Sequence, residues 1–368
     1  AKELKSAALA GRKLKGVDAL HRLCDELGIG EADDSQMALR LSEAVLEDLR
    51  RPYEEPMHLT EKLAYAKRTG VWKNAGLLPG GAKDEIFNAI VKTSTNLNSD
   101  PMDMLTQCLR LGISTGIYGL VLVDRLNGNQ RGERELGFDP VGMRVIDPEC
   151  INIMVTGHQH SMFGSLTGMM EHPEIKEMAD RAGARGIRIV GCTCVGQDFQ
   201  ARSRCYEKVF CGHAGNNYSS EAVLLTGCID LVVSEFNCSL PGIEPICEEL
   251  SIPMLCLDDV AKKKGARHLP YHPEDREDVS VNVIAAAIAS YVRRSRAGKR
   301  QNPMQDHGCN EAVTGVTERT LKGALGGSFA PLIDLIAAGS IKGVAAVVGC
   351  SNLRAKGHDV FTVELVKK

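Results

Sequence analysis

The chain lacks any marked excess of charge of one sign: 44 Lys and Arg stand against 47 Asp and Glu, a formal net charge of −3. No dense basic stripe interrupts that balance, so a nucleic-acid surface, which depends on neutralising phosphates, is not expected. The basic stretch around Arg293–Arg300 reads as a solvated helix end running into a linker. Also lacking are apolar runs approaching the roughly 18 residues of a membrane span. The first residues form a Lys- and Ala-rich helical pattern without the apolar core of a signal peptide. The chain starts at Ala1 rather than Met, so its start is expected to be processed, trimmed or internal. There is no Cys-x-x-Cys pair, no zinc-finger spacing, no repeat at solenoid periods and no low-complexity tract. These absences leave a globular protein with a cytoplasmic composition.

Cysteine, by contrast, is plentiful: 13 in 368 residues. They are too dispersed for a disulfide scaffold, which belongs to short secreted chains. Cys24, Cys108, Cys247 and Cys256 lie inside apolar patterns and are read as packing residues. Residues 1–147 show helical periodicity, with apolar positions three and four apart in Val17–Leu27 and at Met37, Leu41, Val45 and Leu49. Asp34 or Ser35 offers an N-cap, and Asp100-Pro101 opens another helix. Gly70 and Gly112 are natural stops, and Trp72–Lys83 reads as a loop. From about residue 148 the pattern alternates between strands and helices. Strands are predicted near 151–156, 187–191, 229–235 and 253–257, with a helix opening at Pro173 and another over about 278–294. That order predicts a parallel sheet covered on both faces, a Rossmann-like α/β domain over 148–300. After a polar linker, two helices (317–325 and 330–338) and a strand (341–348) would begin a second α/β domain at 308–368.

Four of the strand-like runs end in a soft metal ligand. INIMVTGH leads to His158, IRIVGCTC to Cys194, DLVVSEFNC to Cys238 and KGVAAVVGC to Cys350. In open parallel sheets, ligands gather at the carboxyl ends of strands, so four such residues can meet in space. Thiolate and imidazole suit iron–sulfur clusters, zinc, nickel or copper and are poor partners for magnesium or calcium. Each also has an ordinary explanation. Cys194 in Gly-Cys-Thr-Cys-Val-Gly and Cys238 before Ser-Leu-Pro-Gly read equally as structural thiols, although the small residues around Cys194 leave room for a bulky group. Cys350 stands where a helix N-terminus would favour a thiolate. His158 and His160 alternate sides if extended, so one of them at most faces the site. His21, His58 and His268 read as ordinary hydrogen-bonded residues.

Several longer stretches carry a family resemblance. They are Gly-Leu-Leu-Pro-Gly-Gly-Ala at 76–82, Thr-Ser-Thr-Asn-Leu-Asn-Ser-Asp-Pro at 93–101, Gly157-His158, and the loop ending Cys194-Val-Gly. Cys238 in Phe-Asn-Cys-Ser-Leu-Pro and Gly349-Cys350-Ser-Asn complete the set. In order and approximate spacing the chain resembles the central portion of the catalytic subunit of anaerobic nickel–iron–sulfur carbon monoxide dehydrogenases, in the superfamily that includes hybrid cluster proteins.

The resemblance implies an oxidoreductase interconverting CO and CO2, with water as co-substrate and a ferredoxin-like electron acceptor. It implies a nickel-containing iron–sulfur cluster with four irons, and a homodimer or multi-subunit assembly. His158 and Cys194 match the ligands of a pendant iron, while Cys238 and Cys350 match cysteines on other irons. The family's remaining cluster cysteines, the iron–sulfur clusters of its electron relay and its acid/base residues match nothing here. An incomplete catalytic chain is therefore expected. Between His158 and Cys194 the chain is slightly longer than the family pattern, which keeps His160 as a second candidate. Cys192, Cys205, Cys211 and Cys228 could complete a different cluster but match no family position. A nickel-free iron–sulfur redox protein or sensor, and a metal-free scaffold subunit, are the rival readings.

Overall fold

A computed structural model describes residues 1–31, 33–94, 97–158, 160–170, 172–202, 209–298, 310–345, 347 and 360–368. The chain divides into two compact units, Ala1–Glu133 and Arg134–Lys368.

The first unit is helical, with a core of Leu4, Leu20, Leu23, Leu41 and Met57 on helices Lys2–Leu9, Val17–Leu27 and Asp34–Asp48 and the segment after them. The third helix is capped one residue earlier than expected, by Asp33, whose carboxylate accepts from Gln36 N at 3.0 Å. Asp100 caps its helix as the sequence predicts, accepting from Met102 N at 2.9 Å, with Pro101 at the first helical position. Neither Gly70 nor Gly112 stops a helix. Gly70 lies within Ala66–Asn74, which also takes in Trp72 and shortens the expected loop, and Gly112 lies within Pro101–Ser114.

That last helix continues through a wider-wound turn, Thr115–Leu122, into Val123–Arg131. The short apolar runs of the sequence are thereby joined into one 30-residue helix, Pro101–Gln130, long and apolar enough by length and composition to cross a membrane. The core helix of a globular protein passes the same test, so this one helix does not overturn the expected absence of a membrane span. One side of it, Tyr118, Leu122 and Leu126, packs into the helical core. Arg110 on the same helix holds the fully buried Glu85 at 2.6 Å, and Glu85 also accepts from Gly80 N at 2.7 Å. A side chain at Gly81 would lie 1.9 Å from the Arg51 carbonyl, so the Pro-Gly-Gly turn is shaped by close backbone approach.

In the second unit the strands are β1 (Gly137–Pro140), β2 (Ile151–Thr156), β3 (Ile187–Cys192), β4 (Phe210–Gly215), β5 (Leu231–Ser234), β6 (Met254–Cys256), β7 (Arg267–His268) and β8 (Glu311–Thr314). Six form one parallel sheet in the order β4-β3-β2-β5-β6-β7, while β1 and β8 pair antiparallel. Every residue of β2 is buried, as a central parallel strand with both faces covered requires. Ile151, Ile153 and Val155 pack with Phe163, Val283 and Ile284 from helices His160–Met170 and Arg276–Ala297. Met154 points the other way, with Val190 and Val232, toward Val223 and Ile243 on helices Ser220–Leu225 and Ile243–Glu249.

The amino end of the sheet is closed by polar groups. Arg294 binds Asp230 at 2.7 Å and the carbonyls of Pro148 and Cys150, and Asn152 donates to the carbonyls of Asp147, Cys150 and Cys228. The carboxyl end is therefore the end left for chemistry.

Helices Glu318–Ala324 and Ala330–Ala337 stand where expected. The expected strand at 341–348 does not: its described residues, 341–345 and 347, form no strand, and Val344 is 90% exposed. Ile341 N instead donates to the Leu335 carbonyl at 3.1 Å, no described strand pairs with the run, and an apolar run without a paired strand has no reason to extend as one.

Candidate metal centre

Three neighbouring strands, β3, β2 and β5, each deliver one candidate ligand at the carboxyl end. His158 follows β2, Cys194 follows β3 and Cys238 follows β5. Their donor atoms all lie within 4.8 Å of one another. The Cys238 thiol stands 3.4 Å from the Cys194 sulfur and 3.6 Å from His158 Nδ1. Cys350 lies outside the described residues. His160 opens the helix His160–Met170 instead of continuing the strand, while His158 is the histidine grouped with the cysteines among the described residues.

The backbone carrying these ligands is unusual at all three turns. Gly157 has φ +140°, Thr193 +57°, Asn237 +61° and Cys238 itself +49°. Non-glycine residues in this region cost about 1–3 kcal/mol each and persist where the surroundings over-determine them. Here the surroundings do. The Thr193 hydroxyl accepts from Gly157 N and donates to Gly157 O, both at 2.9 Å, and Val195 N donates to the same carbonyl at 3.1 Å. Ser239 donates to the Thr156 hydroxyl at 3.2 Å, tying the Cys238 loop to β2. His213 meets the Thr193 carbonyl through Nε2 at 3.1 Å, and Phe236 stands edge-on to the His158 ring at 5.8 Å between centroids. Behind Gly157 lies the fully buried carboxyl of Glu235, so close that a Cβ on residue 157 would fall 2.1 Å from Oε1.

Sequence reasoning passes over Thr193, Ser239 and Glu235. The one signal for Glu235 is an acid placed at the end of an otherwise apolar run.

The glycines of the Cys194 loop serve a purpose other than the one expected. A Cβ on Gly191 would sit 2.9 Å from the Gly196 Cα and 2.7 Å from Phe210, and one on Gly196 would sit 2.6 Å from the Gly191 carbonyl carbon. They bring helix Thr193–Arg202 down onto β3 and leave no room of their own for a bulky group.

Donation from the Cys238 thiol is the largest influence on Cys194. Together with His158 it outweighs burial and holds the Cys194 thiol down at about 6. Burial does the reverse elsewhere, pushing Cys24 and Cys211 up to about 11 and Cys247 to about 12. Cys192 is fully buried in the core of the opposite sheet face, Cys211 donates to the Ile189 carbonyl at 2.9 Å, and Cys228 lies at the amino end beside Thr226. None of them joins the three-ligand group, and Cys205 lies outside the described residues. Cys24, Cys247 and Cys256 are buried as expected; Cys108 is exposed, on the solvent side of its helix.

Two soft sulfurs and an imidazole converging on one small volume suit a thiophilic metal or an iron–sulfur group, and no carboxylate stands among them. Comparison with known proteins gives the family. A carbon monoxide dehydrogenase of Methanocaldococcus jannaschii is 39% identical over 357 residues, covering 97% of this chain and 57% of that protein. One from Methanopyrus kandleri is 37% identical over 375 residues, covering 99% and 58%. Among solved structures, carbon monoxide dehydrogenase IV from Carboxydothermus hydrogenoformans superposes with a TM-score of 0.84 at 25% identity, covering all of this chain and 60% of that one. The chain thus spans somewhat more than half the length of these relatives. The Prismane/CO dehydrogenase family profile matches residues 1–368 throughout, and the chain belongs to that family.

Proposed function

We propose that this chain carries the metal-holding core of an enzyme that interconverts CO and CO2, CO + H2O giving CO2, two protons and two electrons. The observation that supports this best is the convergence of His158, Cys194 and Cys238 at one sheet edge, in a chain matched over its whole length by the family. We assign His158, Cys194, Cys238 and Cys350 as ligands of a nickel–iron–sulfur cluster. When bound, such a cluster supplies Lewis acidity toward CO and water and accepts the electrons.

The chain's own residues hold and orient. The Thr193 hydroxyl and Val195 amide fix the Gly157 turn and with it the direction of His158. The depressed Cys194 thiol presents a thiolate at neutral pH, the form a metal takes. Ser239 and the Asn237–Cys238 turn keep the second sulfur against the first. The further ligands and the acid/base residues belong, in this reading, to parts of the full protein that this chain does not match. Residues 308–368 would begin the α/β domain that contributes some of them. The same reading gives a ferredoxin-like acceptor, a homodimer or larger assembly, and a cytoplasmic setting.

The test is anaerobic purification of the full-length protein, followed by metal analysis and CO-dependent reduction of a viologen dye. Nickel with iron and sulfide, and CO-dependent reduction abolished in His158→Ala, is the expected result. Iron and sulfide without nickel, and no CO oxidation, would establish the redox-protein reading instead. Neither metal nor sulfide would establish a scaffold.

A further inference from the structure

The left-handed turn at Thr193 is held from two sides. Its hydroxyl is engaged by the Gly157 backbone. Its carbonyl stands 3.1 Å from Nε2 of His213 on β4, a strand that carries none of the proposed ligands. A carbonyl has no proton to give, so Nε2 is the donor. Burial disfavours a second proton and outweighs that bond, which leaves the ring neutral with its one proton on Nε2. The backbone of β4 is shaped to deliver this ring. Ile189 pairs with Phe210, Gly191 with His213 and Cys192 with Gly215, so β4 slips against β3 by an extra residue both before and after His213. Irregularities of this kind re-aim the side chain beside them. Gly212 lies within the first, with φ +126° and so near the Pro140 carbonyl that a Cβ would fall 2.2 Å from its oxygen.

The His213 backbone is fixed in turn, its carbonyl accepting from Gly142 N at 2.9 Å. Its ring packs on Gly196 in helix Thr193–Arg202, where a Cβ would come within 2.8 Å of Cδ2. One side chain thus braces both the turn and the start of the helix that follows it. Thr193 directly precedes Cys194, and its φ of +57° sets the direction in which the chain leaves β3. A turn in that region persists only where its surroundings over-determine it. We propose that His213 is a positioning residue: by donating to the Thr193 carbonyl it holds the turn that sets Cys194 against Cys238. Its relevance to chemistry rests on the metal-holding role assigned above to those cysteines. The contact itself, and the 3.4 Å between the two sulfurs, exist without any metal.

The test has a metal-free and a metal-bound arm, both on the full-length protein. In metal-stripped protein, diamide oxidises the Cys194 and Cys238 thiols to a disulfide, itself taking up the two electrons and two protons, and mass spectrometry follows the linked peptides. His213→Leu and His213→Met remove the donor and are expected to slow this cross-link by about tenfold or more. His213→Gln keeps an N–H donor and should restore most of the rate. In metal-loaded protein, the Leu and Met variants should lose iron to a chelator about tenfold faster than the parent, with the Gln variant close to the parent. Histidine labelled with 15N reads the ring in the unaltered protein, with the proton expected on Nε2, and decides the matter if the donor-less variants do not fold. A bare Nε2, or unchanged cross-linking in both donor-less variants, would overturn the proposal. So would equal losses in all three variants, which would assign the effect to ring packing. A parent protein that cross-links as expected but holds no metal would sink the ligand assignment and leave the role of His213 standing.

Discussion

Gly157 joins three causes in one residue: a φ of +140°, a backbone pinned on both sides by Thr193 and Val195, and the buried Glu235 carboxyl where a side chain would go. Gly157→Ala must strain its own φ and displace a buried acid, so a loss of about 2–4 kcal/mol in denaturant unfolding is expected, and, if the proposed ligation holds, loss of metal at His158 as well. Glu235→Gln, which keeps the shape, should leave most of that stability in place. Cys194 offers a second residue-scale measurement. Its thiol lies near 6 instead of the ordinary 9.0, so its reactive thiolate dominates above about pH 6 and is lost as the pH falls below it. In metal-free protein the rate of iodoacetamide labelling at Cys194 should rise through pH 6 and level off by pH 7. Cys24, Cys211 and Cys247, which burial holds at about 11 to 12, should stay unlabelled. Labelling of Cys194 that first rises above pH 8 would contradict that thiolate. The three residues that converge, His158, Cys194 and Cys238, were legible as residue types at strand ends. Thr193, Ser239 and Glu235 were not, because their roles depend on contacts between strands far apart in sequence.

At the scale of elements, the strands that could be read were those made of β-branched and aliphatic runs, β2, β3, β5 and β6. β4, Phe-Cys-Gly-His-Ala-Gly, carries none of that signal and is an edge strand whose pairing with β3 shifts register. It is recruited by tertiary context: Phe210 stacks on Phe199 at 5.3 Å, and Gly212 lets the chain pass the Pro140 carbonyl. The opposite difference occurs at 341–345, where strong strand propensity forms no strand and no described strand pairs with it. Glycine misled twice in the helical unit, because Gly70 and Gly112 are carried inside helices whose neighbours supply the continuity. Helix Arg276–Ala297 is fastened to the sheet by Arg294, 10% exposed, against the fully buried Asp230. Removing one partner strands a buried charge, so Arg294→Met is expected to cost about 3–5 kcal/mol in denaturant unfolding. The double variant Arg294→Met with Asp230→Leu should recover a substantial part of that loss, since it removes both charges. A double variant as unstable as the single one would mean that the carbonyl contacts of Arg294 to Pro148 and Cys150, not the ion pair, hold the helix.

For the whole molecule, apolar surface that no described residue covers within each unit separates folding from function. In the helical unit Ile86, Phe87 and Ile90 on Ala82–Thr93 are each more than half exposed. In the second unit Ile333 and Ile336 on Ala330–Ala337 are exposed to 60% and 53%, close in sequence to residues 341–345, which form no strand. Isolated apolar residues at a surface need no explanation, but patches repeated along helices mark surfaces that bind something. The chain spans 57% of the M. jannaschii relative, and in the proposed reading further polypeptide would cover them. The 368-residue chain alone is therefore expected to bind an apolar reporter dye such as anilinonaphthalene sulfonate and to show no CO oxidation. The full-length protein should show weaker dye fluorescence per molecule and strong protection of the 341–347 amides from hydrogen exchange. That protection is the decisive measurement, because a parallel strand slotted between neighbours exchanges far more slowly than an unpaired segment. Equal exchange at 341–347 in both forms would show that no strand forms there. Cys350 would then follow no sheet edge, and its place among the proposed ligands would fall with the strand that was to carry it.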